Sequence, residues 1–108
     1  TERARALIGL RQFDRALAGL QKTIEILSPI VESDPKSTTY RYDLSMSYRL
    51  SAQALFETGN RSRALESVGK AIEIVNRLRD ENAIRDADKN LAAELENERA
   101  RYSGEQAR

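Results

Sequence analysis

Tyr48–Ile74, YRLSAQALFETGNRSRALESVGKAIEI, is the stretch that decides the fold. Tyr48, Ser51/Ala52 and Leu55 recur at spacings of three and four, which places them on one face of a helix. Beyond Thr58-Gly59-Asn60 a second such face begins with Ala64, Leu65, Val68, Ala71 and Ile72, and runs on to Val75 and Leu78. Gly59 suits the left-handed conformation that ends a helix, so the two faces join through a tight turn. The small residues Ala52, Ala64 and Ala71 let the paired helices approach closely, with Tyr48, Leu55 and Val68 filling the space around them. This stretch therefore predicts an antiparallel helical hairpin with helices near 38–58 and 61–79.

Working outward, Lys36-Ser37-Thr38 supplies hydroxyls able to cap the first of these helices, whose stripe also holds Tyr40 and Leu44. Asp34-Pro35 stops whatever precedes it, because the residue before proline is pushed out of the helical region. Upstream, Phe13, Ala16, Leu17, Leu20, Ile24, Leu27 and Val31 mark a helix near 13–33. Pro29 falls inside it and is expected to bend it or to start a new segment after Ser28. Ala4, Leu7 and Ile8 suggest a shorter helix near 2–11. Past Asp80-Glu81-Asn82, the positions Ile84, Ala87, Leu91, Leu95 and Tyr102 read as a fifth, heavily charged capping helix within 80–108. Ser103–Arg108 reads as a frayed tail.

The chain also repeats itself. Displaced by 48 residues, Ala6-Leu7 falls on Ala54-Leu55, Arg15-Ala16-Leu17 on Arg63-Ala64-Leu65, Lys22 on Lys70, and Ile24-Glu25-Ile26 on Ile72-Glu73-Ile74. Nine of 22 positions agree without a gap, and the turn falls at a common place. Each unit is a hairpin that cannot hide its apolar face alone and must stack on a neighbour.

Tyr48-x2-Ser51-Ala52-x2-Leu55, Gly59-Asn60 and Ala64-x3-Val68-x2-Ala71 together resemble the tetratricopeptide repeat, whose two helices follow W-x2-L-G-x2-Y and A-x3-F. Ala16-x3-Leu20-x2-Thr23 offers the same roles upstream. Ser51 replaces the usual Leu, and Asn76 stands where a proline often does. The 48-residue period exceeds the family's usual period of about 34, implying longer helices. Asp34-Pro35 followed by Arg41-Tyr42-Asp43-Leu44-Ser45-Met46-Ser47-Tyr48 looks like a long-helix bacterial variety, of the kind appended to larger regulators such as serine/threonine protein kinases. The resemblance covers about Ala4 to Leu78 and implies an all-α fold, with hairpins stacked as a short right-handed solenoid of about five helices.

The resemblance also implies a site. Family members bind ligands along a concave groove lined by the first helix of each hairpin, which here maps to Met46, Arg49, Gln53, Phe56 and Glu57, with Tyr42 one turn earlier. Arg49 and Gln53 are one turn apart and able to clamp a peptide carboxylate, with Met46 and Phe56 giving apolar contact. The competing reading is a pair of ordinary solvated side chains. Tyr40 and Tyr48 share the core stripe and are expected to pack, whereas Tyr42 lies off it and faces a partner.

Composition removes most other functions. There is no cysteine and no histidine among the 108 residues, which excludes thiol chemistry, the usual zinc ligands and any Ser–His–Asp triad. No Gly-rich phosphate loop occurs. Asp80, Glu81, Asp86 and Asp88 lack the order and central glycine of a calcium loop, so neither metal nor cofactor is expected. A net charge of +1 argues against nucleic acid, and no apolar run approaches a membrane span. The charge is uneven: five basic and two acidic residues in 59–79, five basic and eight acidic in 80–108. Such a division fits helices packed side by side.

The expectation is a non-enzymatic, cytoplasmic scaffold module that binds a protein or peptide, cut from a longer polypeptide. Its alternatives are a spacer or dimerisation segment with apolar end surface at Leu7, Ile8 and Leu10, and a small helical enzyme or metal-binding domain.

Overall fold

A computed structural model describes residues 2–104. Five helices follow one another: α1 (Glu2–Gly9), α2 (Phe13–Ser33), α3 (Thr38–Glu57), α4 (Arg61–Asp80) and α5 (Leu91–Ser103). Among the described residues there is no strand. The chain is all-α, and it folds as successive antiparallel pairs.

The two hairpin turns are nearly superimposable in their bonding. At the α3–α4 turn, the Gly59 amide donates to the Phe56 carbonyl (3.0 Å) and the Asn60 amide to that of Leu55 (2.8 Å). At the α1–α2 turn, Arg11 donates to Ile8 (2.9 Å) and Gln12 to Leu7 (2.8 Å), each 48 positions earlier. Gly59 has φ +84° and Arg11 has φ 60°. Both turns satisfy the last carbonyls of one helix through a residue in the left-handed region. Glycine does this without steric cost and arginine does not. The same pattern closes α4, where the Asn82 amide (φ 56°) donates to the Arg79 carbonyl (3.0 Å) and the Ala83 amide to that of Leu78 (2.8 Å), so this bonding ends three helices of the chain alike.

Capping sets the other ends. The Ser37 hydroxyl accepts from the Tyr40 amide (3.4 Å), and the Asn60 side chain accepts from the Arg63 amide (3.4 Å). These satisfy amides that would otherwise lack partners at a helix start.

Two apolar clusters form the core. One joins Ala52, Leu55, Ala64, Val68, Ala71, Ile72 and Val75 to Leu91, Leu95 and Tyr102 of α5. The other joins Ala4, Leu7 and Ile8 of α1 to Ala16 and Leu20 of α2 and to Leu50 and Ala54 of α3. Ala16, Ala52, Ala54, Ala64 and Ala71 are wholly buried, so these are points of closest helix approach. The Ser67 hydroxyl donates to the Tyr48 carbonyl across the α3–α4 interface (2.8 Å). Ser45 and Ser47, also buried, turn their hydroxyls back onto the carbonyls of Tyr42 and Asp43. That satisfies them without a partner helix.

Several expectations are corrected. Helix α2 runs unbroken through Pro29, so no new segment starts after Ser28; the Ser28 hydroxyl bonds to the Ile24 carbonyl (2.7 Å) in the preceding turn. Ile84 and Ala87 do not belong to α5, which starts at Leu91. Ile84 still packs against the core, from an irregular connection that includes a 3-10 turn at Asp86–Asp88. A helical period caught its burial but not its backbone. Ser103 is the last residue of α5 and Gly104 caps it with φ +87°; the remainder of the expected tail, 105–108, lies outside the described residues. Leu7 and Ile8 are buried rather than exposed, while Leu10 is 68% exposed. Tyr40, expected in the core, is 42% exposed.

Candidate functional site

Helices α1, α3 and α5 together line an open groove of about 430 Å³. Arg5 comes from α1, Met46, Arg49, Leu50 and Gln53 from α3, and Glu98, Arg101 and Tyr102 from α5. Three of the six expected groove residues, Met46, Arg49 and Gln53, therefore converge on one wall. Their spacing of three and four places them on one helical face.

Arg49 is not free within this groove. Its Nε donates to both carboxylate oxygens of Glu98 (3.1 and 3.0 Å), and its Nη2 also bonds to Glu98. Glu94, one turn earlier on α5, approaches the same Nη2 at 3.5 Å. Burial works against the Arg49 charge, but the hydrogen bond and charge of Glu98, aided by Glu94, raise its pKa above the ordinary value. The guanidinium is a fixed cation that ties α3 to α5.

Phe56 does not offer a free apolar contact. Its ring stacks on Tyr102 with centroids 4.8 Å apart and planes tilted by 31°, which adds aromatic packing to the seam between α3 and α5. Burial pushes the Tyr102 phenol pKa up, and Glu98 adds to the effect. Glu57 is exposed at the C-terminal end of α3 and does not line the groove.

Tyr42 sits elsewhere. It is half-buried against the core, and the Arg85 guanidinium lies 4.7 Å from its ring centroid. That cation is itself held by Asp88, whose carboxylate lies 2.7 Å from Nη2. The hydrogen bond and charge of Asp88 raise the Arg85 pKa. Thr38, Thr39, Leu78 and Ile84 join Tyr42 around a small cavity of about 170 Å³.

Three of the four acidic residues at the end of α4 and in the α4–α5 connection lie against arginines. Glu81 accepts two bonds from Arg41 (3.0 and 2.9 Å), Asp88 pairs with Arg85, and Asp80 lies 3.7 Å from Arg79. Among the described residues no three acidic side chains come together in a way that would hold a metal ion.

Sequence reasoning missed Arg5, Glu98, Arg101 and Tyr102. Glu94 and Glu98 are one turn apart on α5, so a shared acidic face was readable there. Its partner was not, because Arg49 and Glu98 are 49 residues apart and meet only through tertiary packing.

Among the described residues no helix is long and apolar enough to cross a membrane. Comparison with protein-family models, with curated proteins and with solved structures finds no match for this chain.

Proposed function

We propose that the chain is a protein-binding scaffold module of the tetratricopeptide type, which takes an acidic peptide segment along the α1–α3–α5 groove. The observation that carries this reading is the charge balance of the groove. Arg5, Arg49 and Arg101 line it against a single lining carboxylate, Glu98, and that carboxylate is already committed to Arg49. A peptide carboxylate entering the groove meets Arg5 and Arg101 as hydrogen-bonding cations, and Arg49 adds long-range attraction. Gln53 supplies a neutral donor and acceptor beside them. Nine of 22 identical residues at a displacement of 48 support the repeat reading. On that reading the module belongs to a larger bacterial regulator, such as a serine/threonine protein kinase, acts in the cytoplasm, and carries no catalysis of its own.

The test is titration of a fluorescent peptide with three consecutive Asp or Glu residues, against a matched Lys version, at two salt concentrations. Preferential binding of the acidic peptide is expected, weakened by salt and by the double variant Arg5→Ala/Arg101→Ala. Binding indifferent to peptide charge, or unaffected by that variant, defeats the proposal. A spacer or self-association role is the second reading, favoured by Leu10 (68% exposed) and Ile26 (64% exposed). Light scattering over a concentration series distinguishes it.

A further inference from the structure

Among the described residues four serines are buried: Ser45, Ser47, Ser51 and Ser67. Three of them are satisfied. Ser45 and Ser47 bond back to carbonyls of their own helix, and Ser67 bonds across to the Tyr48 carbonyl. Ser51 is 7% exposed, yet its hydroxyl forms no hydrogen bond within the described chain. A hydroxyl so far withdrawn from water is unfavourable unless something supplies it with a partner. Its position is the one at which the tetratricopeptide motif carries Leu, a side chain that would fill the space Ser51 leaves open.

That space is the floor of a groove of about 450 Å³ between α2 and α4. Both helices pack on α3, which closes the groove beneath them. Leu17 and Ile24 of α2 form one wall and Arg63 and Lys70 of α4 the other, with Tyr48 beside Ser51 on the floor. The Lys70 ammonium lies 5.6 Å from the Tyr48 ring centroid. The ring steadies the cation near the floor and leaves its N–H donors free. Glu66, within one turn of both cations, forms an ion pair with neither. The lining thus holds two unpaired cations against one carboxylate. Tyr48 and Ser51 lie on the face of α3 opposite Met46, Arg49 and Gln53, and the two grooves share no lining residue.

We propose that the α2–α4 groove binds an extended peptide segment of a partner protein that carries an Asp or Glu between apolar residues. The carboxylate accepts from the Ser51 hydroxyl and the Lys70 ammonium, and so gives the buried hydroxyl its missing partner. The flanking apolar side chains lie against Leu17 and Ile24. Arg63 and Lys70 are about 10 Å apart along α4, a span that about three extended residues fill. Gln21 on the α2 wall bonds to Glu25 through its amide nitrogen (3.1 Å) and keeps its carbonyl oxygen for a peptide N–H. The groove is open at the surface, which suits a passing chain better than a small molecule that needs enclosure. The proposal does not rest on the α1–α3–α5 groove.

The probe is acetyl-Gly-Leu-Asp-Leu-Gly-amide, blocked at both ends so that the side chain is its one carboxylate. Titrated into the 108-residue protein, it is expected to shift the amide resonances of Gln21, Ser51, Ser67 and Lys70. Those of Met46, Arg49 and Gln53 should stay in place. The analogue with Asn for Asp should bind about tenfold more weakly. Ser51→Ala and Lys70→Gln should each weaken the Asp peptide about fivefold with helical content unchanged. Arg5→Ala/Arg101→Ala should leave it unaffected. Lys70 is exposed, so its variant reads the site even where Ser51→Ala disturbs the fold. No binding up to millimolar concentration, equal binding of the Asn analogue, or indifference to Lys70→Gln overturns the site. N-acetylleucine binding as tightly as the peptide gives the groove to small carboxylic acids and overturns the peptide. Self-association that Lys70→Gln abolishes gives it to a second copy, with the same consequence. Shifts confined to Met46, Arg49 and Gln53 overturn this site while leaving the α1–α3–α5 reading in place.

Discussion

Arg49 of α3 and Glu98 of α5 face each other across the groove as a multiply bonded ion pair, with Nε 3.1 and 3.0 Å from the two carboxylate oxygens. Their side chains are only 22 and 20% exposed, so solvent screens the pair weakly. The contact fixes the end helix and occupies the residue best suited to bind a ligand carboxylate.

Removing the carboxylate charge should loosen α5 before anything else. Glu98→Gln leaves a half-buried guanidinium with Glu94 as its remaining partner, and should cost about 1–3 kcal/mol. Chemical denaturation measures the loss, and amide exchange should locate the extra opening in α5. Uniform destabilisation, with α5 as protected as α4, would contradict this.

The paired turns make opposite predictions at equivalent positions. Arg11→Gly relieves a left-handed non-glycine residue (φ 60°) and should raise stability by about 1 kcal/mol, less whatever the Arg11 contact with the Phe13 ring (5.1 Å) contributes. Gly59→Ala imposes that strain (φ +84°), although a Cβ there meets no neighbouring atom, and should lower stability by a similar amount. Equal signs for the two variants would refute the common geometry of the turns.

Pro29 lies within α2 and is exposed. Its ring withholds the amide that a helix would direct to the Glu25 carbonyl. Pro29→Ala restores that bond and should stabilise the chain by about 1–3 kcal/mol, read from the thermal midpoint. A lower midpoint would mean that α2 needs the proline for its packing.

Glu81 confers a pH dependence. The hydrogen bond from Arg41 holds its carboxyl below the ordinary value of 4.5; desolvation opposes this, and the charges of Arg41 and Arg77 reinforce it. A depressed folded pKa contributes stability that is fully present above the unfolded value and is lost as pH falls through the folded value. Glu81→Gln should therefore be less stable than the parent at neutral pH, with the difference shrinking below about pH 4.5. Denaturation midpoints at pH 7, 5 and 3 test this; a constant difference would exclude Glu81 as the titrating group.

The all-helical fold and its hairpin turn were legible in Tyr48–Ile74, because helical periodicity and a left-handed glycine are local properties. The repeat was legible too, in nine of 22 identical residues at a displacement of 48, even though arginine stands at position 11 where glycine stands at 59. Tertiary structure alone decided what became of Arg49 and Phe56, whose partners Glu98 and Tyr102 lie more than forty residues away. It also decided that Ile84 is packed without being helical, because burial there comes from a neighbouring cluster rather than from a periodic backbone. Above all it showed that two sequence-equivalent stripes differ in cover. Ala71-Val75-Leu78 lies beneath α3, whereas Thr23-Leu27-Ile30 stays half-open beyond the end of α1. A stripe of apolar residues records that a helix has an inward face; what lies against it is decided by tertiary packing.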